Sequence, residues 1–194
     1  MRHRGRKLKQ IWAQLRWAYV VLPVLAFGLV IAGIALTSHG SLSEGQRRTL
    51  SEAAAEITRV KDEAEQWAHR IKRDYNKGSQ PYETSYSKYI GAKAGNDAWL
   101  DRFAIDLTAR RDLSSSKEYQ VALQEASAKG EDFLRYARAL YPESSNKSAI
   151  VDLLTPLTEA GLKVWKEFRA ASAQDLEEIK KAMLSLKWRP FDET

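Results

Sequence analysis

The chain holds 194 residues, of which 44% are apolar, 29% are charged and none is cysteine, so disulfide frameworks, thiolate metal sites and cysteine nucleophiles are excluded. There are 31 Lys and Arg against 25 Asp and Glu, and the six cations Arg2, Arg4, Arg6, Lys7, Lys9 and Arg16 fall in residues 1–17, which hold no acid. The rest of the chain is therefore charge-balanced, and its basic character reports a short tail rather than a nucleic-acid-binding face.

Residues 18–36, AYVVLPVLAFGLVIAGIAL, run for 19 positions without a charge. At ~1.5 Å per residue this is roughly 28 Å of helix, the thickness of a bilayer's hydrocarbon core. The basic tail on its N-terminal side predicts a cytoplasmic N-terminus, and Trp12, Trp17 and Tyr19 fall where an aromatic belt meets lipid headgroups. Pro23 sits in the first two turns, where a missing N–H costs least. Gly28 and Ala32, with Gly33 beside them, form a small-xxx-small pair that lets membrane helices approach closely and offers one route to a homo-oligomer. The competing reading is a signal peptide cleaved after Ala35; the long basic region and long apolar run favour a retained anchor. A transit peptide is disfavoured because the tail lacks serine.

After a short linker, residues 37–45, a helical domain is expected over 46–189, with 190–194 as a terminal tail. Ser43 and Gln46 have the spacing of a capping box. Leu50, Ala53, Ile57, Val60, Ala64, Trp67 and Ile71 then alternate by three and four, a seam suited either to an intramolecular bundle or to a parallel coiled coil in which Glu56 and Lys61 attract across the pair. Residues 76–96 are rich in turn formers (Asn76, Gly78, Pro81, Gly91, Gly95, Asn96) and predict a loop with a short helix from Pro81. That helix places Tyr82, Tyr86 and Tyr89 on one face, a candidate partner-binding surface or, alternatively, a cover for the bundle's end.

Further helices are expected from Asn96 or Asp97 to about Leu113, from a Ser115–Glu118 capping box to Pro142, and from Asn146 onward. Pro156 should kink the last stretch or mark its true start, and Ser172 should restart it. Nothing alternates with period two, so the fold class is all-α: one N-terminal membrane helix followed by a bundle of four or five helices. Trp188 and Phe191 in the terminal WRPF segment form a second candidate contact point, or a plug packed back on the bundle.

Chemistry is sparse. Glu65 and His69 share a helical face, but Gln66 stands where a di-iron Glu-x-x-His motif needs a carboxylate, and the pair is expected to face solvent. Ser114–Lys117 and Ser144–Lys147 fit S-x-x-K without the K-T-G element that penicillin-binding proteins require. Asp101, Asp106, Glu131 and Asp132 are the carboxylates to weigh for glycan cleavage, and they lie among opposite charges. No cofactor or metal is expected, and no enzymatic activity. The sequence favours a non-catalytic accessory, assembly or scaffold subunit at the inner membrane, with its domain outside the cytoplasm (periplasmic in a Gram-negative cell) and other membrane or envelope proteins as partners. A ligand-sensing bundle and a phage-type lysis protein are the alternatives.

Overall fold

A computed structural model of the chain describes residues 42–142 and 152–194. They form five α-helices and no strand: α1 Glu44–Asp74, α2 Gln80–Thr108, α3 Lys117–Ala139, α4 Leu154–Phe168 and α5 Ala173–Leu184, followed by a 3-10 turn at Phe191–Glu193. The expected membrane segment 18–36, with Trp12, Trp17, Tyr19, Gly28, Ala32 and Gly33, lies outside these residues, as does Asn146. Among the described residues no helix is long and apolar enough to cross a membrane.

The capping box that opens α1 is present: Ser43 Oγ accepts from the Gln46 N–H, and Gln46 Oε1 accepts from the Ser43 N–H. The seam follows the expected line except at one position. Ala68 is fully buried, whereas Trp67 is only half-buried, so the buried line runs Ile57, Val60, Ala64, Ala68, Ile71. The apolar face is used inside the chain, with α1 lying mainly against α4, and Glu56 pairs with Arg59 on its own helix.

Residues 76–96 differ most from expectation. The turn is confined to the few residues before Ser79, where Gly78 adopts φ 88°, a left-handed conformation that favours glycine. Ser79 then caps α2, accepting from the Tyr82 N–H, and one 29-residue helix runs through Gly91, Gly95 and Asn96. Gly95 is a packing residue rather than a breaker. A Cβ there would stand 3.1 Å from the Ala126 Cα, at the crossing of α2 and α3, the pair with the most extensive contact in the bundle.

The cap of α3 is Ser116, not Ser115, because Ser116 Oγ also donates to the buried Asp106 carboxylate at 2.7 Å. Gly130 lies under Leu153, whose Cδ1 would be 2.8 Å from an added Cβ. Pro156 falls in the first turn of α4, where its missing N–H leaves no helical bond unmade, and Ser172 caps α5 as expected. Among the aliphatic side chains of the core, Tyr89, Trp99, Phe103, Tyr119, Phe133 and Phe168 are fully buried.

Candidate interaction surface

The aromatic residues that suggested a contact face converge on one place, and most of them are turned inward. Tyr89 is 0% exposed, Tyr82 8%, Trp188 3% and Phe191 1%, whereas Tyr86 is 38% exposed. Three-and-four spacing does put the tyrosines on adjacent faces of α2, but that arc is bounded by the returning C-terminal segment. The Phe191 ring stands edge-on to Tyr82, Tyr86 and Tyr89 at centroid separations of 5.7, 5.3 and 5.3 Å. Edge-to-face contacts of this kind add to the area burial itself. Residues 190–194 are thus part of the packed domain rather than a loose tail.

Polar contacts fix this segment to α1. Glu65 is 4% exposed and does not face solvent as expected. Its carboxylate accepts from the Arg189 guanidinium and from the Arg189 main-chain N–H. The Tyr89 hydroxyl donates to the Arg189 carbonyl at 2.8 Å. Lys72, one turn beyond Ala68, donates to the main-chain oxygens of Phe191, Asp192 and Thr194 at 3.0, 3.1 and 2.6 Å. Pro190 holds the segment extended between its two aromatic anchors, with φ −55° and ψ 146°.

The electrostatics follow from this burial. Desolvation pushes the Tyr89 hydroxyl well above the usual phenol range, with the Glu65 carboxylate adding to the rise. Asp62, one turn before Glu65, is raised above the usual aspartate range, first by desolvation and then by the Glu65 charge. The Arg189 guanidinium is raised further by its hydrogen bond to Glu65.

Sequence reasoning missed Glu65, Lys72 and Arg189. Glu65 adjoins Ala64 on the line that continues to Ala68 and Ile71, so a 3.6-residue period would have placed it at the edge of the buried face.

The carboxylates weighed for catalysis are each held in a structural pairing. Asp106 is bound by Arg102 and Ser116, Asp101 by Lys187, Asp132 by Lys88, and Glu131 accepts from the Leu153 N–H. Ser114 donates to the Asp112 carboxylate at 2.8 Å. Ser144 and Lys147 lie outside the described residues. Among the described residues no group of three or more His, Asp or Glu is placed to hold a metal ion. Compared with protein-family models, curated proteins and solved structures, the chain matches none.

Proposed function

We infer that the chain is a single-pass membrane protein and a non-catalytic accessory or assembly subunit of a membrane or envelope complex. The observation that carries this reading is the partition of charge along the sequence. Six cations without an acid precede 19 uncharged residues, and a charge-balanced helical domain follows. The positive-inside rule then keeps residues 1–17 in the cytoplasm and sends the bundle to the other side, the periplasm in a Gram-negative cell. The pairing of each candidate catalytic carboxylate supports a protein that works through its surfaces.

Two measurements on full-length protein test this reading. Protease added to spheroplasts should digest the bundle and spare the N-terminal tail; protection of the bundle would overturn the topology. Purification in mild detergent followed by mass spectrometry should recover a stoichiometric membrane partner. Recovery without one would overturn the accessory-subunit role.

A further inference from the structure

The outward face of α2 differs from that of its neighbour α3. On α3 a charged residue recurs among the exposed positions at nearly every turn, whereas the exposed positions of α2 from 86 to 98 are Tyr86, Ser87, Ile90, Ala94 and Ala98. The charged residues of these three turns, Lys88, Lys93 and Asp97, are half-buried, and none stands among the exposed positions. Tyr86 and Ile90 are 38% and 39% exposed and belong to the few large apolar side chains left in solvent.

Gly91 lies on the edge of the same face. Glycine inside a helix costs about 1 kcal/mol against alanine. At Gly95 the close approach of Ala126 accounts for it, but a Cβ at Gly91 would meet nothing within 4 Å. The described residues therefore give Gly91 no internal purpose. A second helix lying on this face would.

The pattern of sizes specifies the occupant. Read antiparallel against itself about Ala92, the face sets Tyr86 opposite Ala98 and Ile90 opposite Ala94, each bulky side chain against a small one. Charges at its borders are already paired within the chain: Lys93 with Asp97, and Asp101 with Lys187 at 2.7 and 2.8 Å. In this register Glu83 of one copy approaches Asp101 of the other, and the ammonium of Lys187 beside that Asp101 offsets the repulsion. We propose that the outward face of α2 is an interface between two copies of this chain, packed antiparallel across residues 86–98. A two-fold, self-complementary contact is the commonest form of homo-oligomer. Three turns of one helix fall short of the ~800 Å² per partner of a standard stable interface, so the pair is a weak, exchanging one.

The absence of native cysteine makes the register directly readable. Full-length Tyr86→Cys and Ala98→Cys proteins are purified in mild detergent, oxidised separately and as a mixture, and run on non-reducing gels. The mixture should give a covalent heterodimer. Neither variant should cross-link alone, because equivalent positions lie roughly 18 Å apart along the helix axis, beyond disulfide reach. Adding Ala94→Arg to both should abolish the heterodimer with the helical circular dichroism unchanged. Cross-linking of Ala98→Cys alone would mean a parallel pair and would overturn the proposal. Monomer in every lane, as expected if a different protein or another segment covers the face, would overturn it too, and so would a heterodimer that survives Ala94→Arg. The cross-link reads self-association only, so its failure is separate from failure to recover a membrane partner.

Discussion

Arg189 donates through Nε and Nη2 to one oxygen of Glu65 at 2.7 and 2.5 Å, while its main-chain N–H donates to the other oxygen at 2.9 Å. The two side chains are unequally buried: that of Glu65 is 4% exposed and that of Arg189 58%. Removing one partner is therefore not equivalent to removing the other. Arg189→Ala strands a desolvated carboxylate on a single main-chain donor, whereas Glu65→Gln leaves a guanidinium that water can reach. A buried pair broken from one side costs up to 3–5 kcal/mol, less where solvent screens it. Arg189→Ala should lose about 2–3 kcal/mol and Glu65→Gln about 1 kcal/mol, measured by urea unfolding followed by circular dichroism. Equal losses would mean that the carboxylate is solvated.

Asp62 gives this region a pH signature of the opposite sign to an ordinary paired carboxylate. Desolvation and the neighbouring Glu65 raise its folded-state pKa, so the folded chain holds the proton more tightly than the unfolded chain. Folding is favoured while Asp62 is protonated in both states. That favour is lost as pH rises through the usual aspartate range to the raised folded value, and above it the charge opposes folding. Asp62→Asn should therefore raise the melting temperature at pH 7, and the gain should shrink to nothing as the pH falls below the usual aspartate range. A gain that persists in acid would assign it to something other than charge.

The all-helical class and the caps at Ser43 and Ser172 follow local rules that a sequence expresses directly: hydrophobic period, and a side-chain oxygen three residues before a free N–H. What was not legible depends on contacts far along the chain. Gly91, Gly95 and Asn96 carry the composition of a loop, yet they lie within α2. The close approach of Ala126 that makes Gly95 useful comes from another helix. Likewise the three tyrosines were correctly grouped by spacing, but the direction they face is decided by Phe191, about a hundred positions away. Local pattern identifies an aromatic face without saying what covers it.

Gly91 and Gly95 provide a paired test of that distinction. Both sit inside α2, so alanine at either gains about 0.5–1 kcal/mol of helix propensity. At Gly91 nothing opposes the methyl, and the variant's unfolding free energy should rise by that amount. At Gly95 the methyl meets the Ala126 Cα at 3.1 Å and the Glu125 carbonyl oxygen at 3.4 Å, and main chain on a packed helix yields little. An overpacking cost of about 1–3 kcal/mol should outweigh the propensity gain. Gly95→Ala should thus destabilise where Gly91→Ala stabilises, and the two urea-unfolding midpoints should move in opposite directions. If both rise, α2 and α3 are free to separate at their crossing.

Gly161 and Tyr119 are coupled in the same way, but through a side chain that can be trimmed. A Cβ at Gly161 on α4 would run into the Tyr119 hydroxyl oxygen, with Trp99 Cζ2 at 3.7 Å. Tyr119 is fully buried, so its ring has no room to swing away. Gly161→Ala should accordingly cost about 1–3 kcal/mol. Tyr119→Phe removes the oxygen that the methyl meets and leaves the nearest ring carbon at 3.5 Å, ordinary contact distance. The double variant should therefore be more stable than the sum of the single losses predicts, by about 0.5–3 kcal/mol in a double-mutant cycle. Tyr119→Phe should also remove part of the chain's alkaline sensitivity. Burial raises this hydroxyl to about 12, so its contribution to stability falls as pH climbs from the unfolded phenol value near 10 toward that figure. Additive losses in the cycle would show that α4 shifts away from α3 to accept the methyl, and the contact would then be loose rather than fixed.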